Sequence, residues 1–352
     1  MTRLAAYAIA LACALTAAWV VPALAMRALA PSLESSPLRA TNHRGRPVFL
    51  GLGLVWAVWA VSLLVTSTLL DVVGSALGAP YGSVEMLLFD GPLTMPLYAV
   101  PIILTMSAVV FGMVDDVFGT HGDKGFRGHL RALAAGRLST GGLKMLGIGL
   151  VAAVYGRHAS AGQSDAQNAS AASLAGWWIA ATLVIAFSAN LLNLLDLRPG
   201  RALKSYCALA VPAAAIFTLA TLGQYRSFRP GFPFEWTATD TAVTLACLIV
   251  VLLGPVLAVW RYDLGERGML GDAGSNAMGA VVGYLLAGSL PLPWLVGVAV
   301  LLGVLNALSE RVSFSRLIDA SAPLRFLDTL GRLPQERAAR AEGVEDVGPS
   351  RR

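Results

Sequence analysis

Charge is what this chain has least of. Only 13% of its 352 residues are Asp, Glu, Lys or Arg, roughly half the share of a soluble domain. That scarcity, set beside 56% hydrophobic residues, excludes a soluble globule on a single anchor and describes a polytopic membrane protein. Cysteine is rarer still. Cys13, Cys207 and Cys247 all lie inside apolar runs, which excludes a disulfide framework or a cysteine metal cluster and leaves them as small packing residues. The sequence holds no Walker-type phosphate loop, no nucleotide fold of the soluble kind and no repeat at solenoid spacing. Its net charge of +5 is gathered in a few loops, so it speaks of topology and not of nucleic acid.

Apolar sequence is what abounds. Length, not helical period, identifies the spans, because most runs are apolar all round. Nine are expected, at about 4–26, 48–70, 96–114, 141–155, 174–195, 203–222, 241–260, 276–289 and 292–308. The fold class is therefore all-α, a polytopic helical bundle over residues 1–310. The first run has a small-residue site at Ala23-Leu-Ala25, but its length and the Arg27 that follows favour a retained helix over a cleaved signal peptide. Of the 26 Lys and Arg, only Arg3, Arg157, Arg226 and Arg229 fall in one set of alternate loops. The other 22 mark the cytoplasmic face, giving an outside amino terminus and an inside carboxy terminus in the plasma membrane.

Every unusual polar cluster then falls on the cytoplasmic side. Asp115 and Asp116 follow 18 uncharged residues, Leu97 to Val114. Adjacent carboxylates at the mouth of an apolar helix are costly unless compensated, and Mg²⁺ with phosphate ligands would compensate them. Interfacial water is the plainer alternative. The loop behind them carries His129, Arg131, Arg137, Ser139, Thr140 and Lys144. Asn190, Asn193 and Asp196 share one third of a helix circumference; they either face a ligand or bond to neighbouring helices. Arg198-Pro-Gly-Arg201 with Lys204 is a tight basic turn, suited to phosphate or simply topogenic. Gly271-Asp-Ala-Gly-Ser275 opens a helix whose free N–H groups, including those by Gly274 and Ser275, suit an anion. Asp272 there shares a cation with Asp115 or Asp116, or caps its own helix. A transporter would instead place charges near the midplane and in related halves, which this chain does not.

In this order, Asp115-Asp116, Asn190-x-x-Asn193-x-x-Asp196 and Gly271-Asp-Ala-Gly-Ser275 resemble the polyprenyl-phosphate sugar-1-phosphate transferases over roughly residues 40–310. Lys144 and Asn42-His-Arg-Gly-Arg46 match less specifically. The resemblance implies Mg²⁺-dependent transfer of a sugar-1-phosphate from a UDP-sugar to a polyprenyl phosphate, with release of UMP, for envelope glycan synthesis. It implies that Asp116 and Asp272 hold Mg²⁺ on the diphosphate. Asp115 would orient or deprotonate the lipid phosphate, and the Asn/Asp helix end would serve the nucleotide. A homodimer stays open. The chain departs from the family twice. Where members continue Asp-Gly-x-Asp-Gly, it reads Asp196-Leu-Arg-Pro-Gly200, and it has no histidine after His158. The missing late histidines leave Arg261, Arg267 and the carboxy-terminal arginines as the cations for their role. These departures set the chain apart from the peptidoglycan translocase. They motivate an alternative, a catalytically inactive homologue that binds lipid phosphate or a partner protein.

Beyond the bundle, residues 311–333 interleave arginines with Val312, Phe314, Leu317, Ile318, Leu324, Phe326, Leu327 and Leu330, a basic amphipathic segment suited to an anionic leaflet. Residues 334–352 are polar and expected to be disordered.

Overall fold

The structure is a computed structural model that describes residues 2–78, 101–119, 128, 131–132, 134–161, 169–228 and 237–333. His129 and the expected disordered tail lie outside the described residues, as do positions 96–100 of the third expected span.

Helices dominate. The chain opens with α1 (Arg3–Leu15), a π-helical turn (Thr16–Val20) and α2 (Val21–Ser35) as one continuous rod. The π turn has a local cause. Pro22 has no N–H to return to Ala18, and the Val21 N–H reaches back to the Thr16 carbonyl instead. The freed Ala17 carbonyl accepts from the Ser62 hydroxyl of α3 (Leu54–Leu77). The Ala18 carbonyl lies against Gly254 of the later helix Ala238–Leu264, where a Cβ would come within 2.2 Å. The bulge thus serves helix packing.

The remaining helices are α4 (Ile102–Phe118), α5 (Thr140–Ala161), α6 (Ala171–Leu195), α7 (Arg201–Phe228), α8 (Ala238–Leu264), α9 (Gly271–Ser289) and α10 (Leu292–Ser309). Two short helices, α11 (Phe314–Ala320) and α12 (Ala322–Thr329), end the described chain. Among the described residues six helical stretches are long and apolar enough to cross a membrane: Arg3–Ser35, α3, α6, Arg201–Leu222, α8 and α10. Their outer faces carry apolar side chains such as Val65, Leu69, Leu183, Leu219 and Val300, as a lipid environment requires. The other three expected spans are also helical, as α4, α5 and α9.

The all-α bundle carries one small addition. Three strands, β1 (Arg39–Thr41), β2 (Pro47–Leu50) and β3 (Gly268–Met269), form a small sheet in the order β1-β2-β3, antiparallel then parallel. The second expected span accordingly starts later, at Leu54 and not at residue 48. The hairpin turn is built by Asn42, whose side-chain oxygen accepts from the Arg44 and Arg46 amides at 2.9 and 3.0 Å. Gly45 sits at φ 79°, where a side chain would strain the turn. The sheet ties the loop after α2 to the segment that leads into α9.

α9 is the central helix, packed on α6, α4, α7, α5 and α3, and buried from Ala273 to Gly283. Its small residues permit this. A Cβ on Gly279 would lie 2.1 Å from the Ser188 carbonyl oxygen of α6, and one on Gly283 2.7 Å from the Ile185 Cα. Close backbone approach of this kind is how helices associate where lipid removes the hydrophobic drive between them. Gly297, on α10, has nothing within 4 Å of its Cβ position. Gly279→Val is therefore expected to cost about 1–3 kcal/mol by overpacking and lower the melting temperature of the detergent-solubilised protein. Gly297→Ala is expected to leave it unchanged. Thermal-shift fluorescence of both variants checks this, and equal behaviour would contradict the central packing of α9.

Candidate active site

The acidic residues singled out in the sequence meet at one end of the bundle. Asp115 and Asp116 sit in the last turn of α4, Lys144 near the start of α5, Asp196 just past α6 and Asp272 at the second position of α9. Gly112 makes the meeting of α4 and α9 possible, since its Cβ would lie 2.5 Å from the Ala273 nitrogen.

Asp116 caps α9. Its two carboxylate oxygens accept from the Asp272 and Ala273 amides at 2.9 and 3.2 Å. Gly271 at φ 65° turns the chain into the helix, and a side chain there would collide with the Asp116 carboxylate. A carboxylate on the first amides of a helix satisfies orphan donors and meets the positive end of the helix dipole. The anion site expected at this helix start is thus filled by the protein's own anion.

Lys144 joins the other two acids. Its ammonium group lies 2.9 Å from Asp115 Oδ2 and contacts Asp272 Oδ2. The lysine and both acids are largely shielded from water. Asp196 lies close by, with the Gly271 backbone donating to it. Burial, and then the negative charges of Asp263, Asp272 and Asp116, push its carboxyl well above the ordinary carboxylate range.

Asp263 is a member of this cluster that the sequence reading missed. It is buried in the last turn of α8 and accepts from the Gly200 amide at 2.5 Å. An acid ending an apolar run was the available signal, the same that marked Asp115 and Asp116. Beside it, Asn42, His43, Asp196, Arg198, Asp263 and Glu266 are among the residues lining a small cleft of about 10 Å³. Glu266 at φ 53° receives the Asn42 side-chain amide at 3.1 Å and stands 3.3 Å from the Arg44 guanidinium. The Asn42–Arg46 hairpin is thereby pinned to the cleft wall.

Other sequence candidates go elsewhere. Asn190 donates to Asn306 of α10 at 2.6 Å, a helix–helix bond outside the cluster. Asn193 accepts from Ser275 at 3.3 Å, and Ser275 also donates to the Gly271 carbonyl. Gly274 is buried against Gly53. Arg261 and Arg267 stack on the Tyr262 ring at 4.8 and 4.9 Å. The basic turn belongs to the carboxy-terminal segment. Arg198 forks onto Asp319 at 2.8 and 2.7 Å, and Arg201 onto Asp328 at 2.8 and 3.0 Å. Lys204 donates to the Leu327 and Asp328 carbonyls, and Arg332 to Asp328 and the Pro199 carbonyl. Burial alone would raise the Asp328 carboxyl, but the hydrogen bond from Arg201 and the charges of Arg332 and Arg201 hold it below its usual value.

Among the described residues no group of three or more His, Cys, Asp or Glu is arranged to hold a metal ion. The contacts explain this: Lys144 stands between Asp115 and Asp272, and Asp116 is turned onto backbone amides. The donor set itself is all carboxylate oxygen, the chemistry of Mg²⁺, and its acids outnumber its one lysine. No family model matches this chain, and comparison with curated proteins yields no match.

The Arg201–Asp328 pair is buried on both sides, at 3% and 4% exposure. Arg201→Ala should leave Asp328 uncompensated, cost about 3–5 kcal/mol and expose the chain after Ser309 to protease. Limited proteolysis with a melting curve checks this. A variant as stable and resistant as the parent would mean that Arg201 serves a ligand and not the fold.

Proposed function

We propose that the chain is a membrane-embedded transferase moving a sugar-1-phosphate from a UDP-sugar to a polyprenyl phosphate. The observation that carries this reading is the meeting of Asp115, Asp116, Asp196 and Asp272 with Lys144 at one end of the bundle. In this reading nine helices cross the plasma membrane, with the amino terminus outside and the acid cluster facing the cytoplasm, as the split of basic residues requires.

Asp272, with Asp116 beside it, would hold Mg²⁺, and Lys144 would yield its position between the acids. The ion would neutralise diphosphate oxygens of the sugar nucleotide. Asp115 takes the proton of the lipid phosphate or orients its oxygen. That oxygen attacks the phosphorus next to the sugar, the bond from this phosphorus to the bridging oxygen breaks, and UMP leaves with the electron pair. Lys144, held by two acids, is the nearby cation able to follow charge onto phosphate oxygens. A small cleft beside Asp196 adjoins the cluster.

One observation favours the inactive alternative. Arg198, Arg201 and Lys204, the cations best suited to phosphate, are all engaged by the carboxy-terminal segment. A homologue that has lost turnover would retain the acid cluster as an ion-paired structural core.

Purified protein supplied with undecaprenyl phosphate, Mg²⁺ and a panel of radiolabelled UDP-sugars is expected to release UMP with at least one donor. Asp115→Asn and Asp272→Asn should each lower that rate by about 10²–10⁴-fold, the range for loss of a proton-transfer or charge-stabilising group. No UMP from any donor, with lipid phosphate still bound, would establish the inactive reading in its place.

A further inference from the structure

We propose that the outward face of the carboxy-terminal strap, α11 and α12, docks onto an anionic lipid surface. The inference stands apart from the enzymatic reading, because it rests on how the strap distributes its side chains.

That distribution is inside out for a helix in water. The one buried residue of α12 is an acid, Asp328. Leu324, Phe326 and Leu327 on the same helix, and Leu330 after it, are exposed, Phe326 at 65%. A short helix bathed in water would turn its leucines and phenylalanine inward and its acid outward. Charge divides along the same line. Asp319 and Asp328 point to Arg198 and Arg201, while Arg311, Arg316 and Arg325 are exposed beside the apolar residues. The inner face is therefore acidic on a basic turn, and the outer face is basic and apolar. Apolar side chains flanked by arginines match a bilayer interface with negative headgroups.

Two tethers put this face at the right depth. The strap follows α10, long and apolar enough to span, after only four residues, Glu310 to Ser313. Four residues reach at most about 14 Å, so α11 begins close to where α10 leaves the membrane. The second tether is the turn Arg198–Arg201, which joins the ends of α6 and α7, two further candidate spans. The strap is thus pinned to helix ends on both sides, with its apolar face left uncovered. An apolar face in that position meets lipid before it meets a soluble protein.

The test uses the full chain with Phe326→Cys carrying a nitroxide label, reconstituted in nanodiscs of phosphatidylcholine alone or mixed with phosphatidylglycerol. The parent chain, labelled identically, corrects for Cys13, Cys207 and Cys247. The label should collide preferentially with dissolved oxygen over a water-soluble nickel reagent, and more so with phosphatidylglycerol present. Arg316→Glu with Arg325→Glu removes two favourable surface charges and adds two unfavourable ones, and should lower the inserted-to-water ratio by at least about thirtyfold. Both substitutions lie on exposed positions, and unchanged elution in size exclusion reports an intact fold. A label open to the nickel reagent in both lipids would overturn the proposal. Shielding from both reagents, with cross-linking between two copies, would assign the face to a dimer and overturn it equally. Insertion that ignores both lipid charge and the arginine reversals would refute the anionic requirement.

Discussion

The amino terminus of α9 meets a carboxylate from α4, and the polar end of the bundle is organised around that contact. Asp116 satisfies the Asp272 and Ala273 amides, which no intrahelical acceptor reaches. For this to happen α4 must come within backbone contact of α9, which Gly112 permits. Once Asp116 is committed there, Asp115 on the next position faces Lys144, and Lys144 reaches Asp272 on the helix that Asp116 caps. Three elements far apart in sequence are locked by one cap and one bridging ammonium group. The arrangement concentrates negative charge near Asp196, and the resulting repulsion is a cost that the fold tolerates at one location. Groups perturbed in this way cluster at functional sites, as they do in structural ion-pair networks.

A second charge system lies against the first and does different work. Asp263 holds the Gly200 amide, and Asp328 holds Arg201 one residue later, so the turn after Asp196 is gripped from two sides. The carboxy-terminal strap is therefore fastened to the turn that follows Asp196. Pro199, where the resembling family has an acid, gives its carbonyl to Arg332. The turn is thereby fastened to the chain's own end.

Much of this was legible in the sequence. Long apolar runs required helices, since only helices and closed barrels satisfy the backbone in lipid and barrel strands are half as long. The paired acids after Val114, the acid after Leu195 and the acid after Gly271 each ended or began such a run, and a charge in that position needs a reason. What the sequence could not reveal was who pairs with whom. Lys144 stood in a glycine-rich segment with a weak span, and nothing local to it pointed 128 residues ahead to Asp272. Arg198, Arg201 and Lys204 read as phosphate ligands because their acids, Asp319 and Asp328, sat in a segment whose arginines and leucines set the interpretation. The small sheet escaped because its strands are two to four residues long, below the length at which alternation can be read. Asn190 and Asn193 share a face by spacing, but α9 and α10 divide that face between them, which only packing decides.

The contact between α4 and the start of α9 can be measured directly. In a chain with Cys13, Cys207 and Cys247 replaced by alanine, Asp116→Cys and Ala273→Cys place thiols on positions whose side chain and backbone now touch. Oxidation in the membrane should join them within a single chain, since a disulfide tolerates only a narrow separation of its Cα atoms, about 4.4–6.8 Å. An intramolecular bridge, seen by mass analysis of the peptides, is the predicted result. Two thiols that stay free under oxidation, or link only between different chains, would contradict the account at its centre.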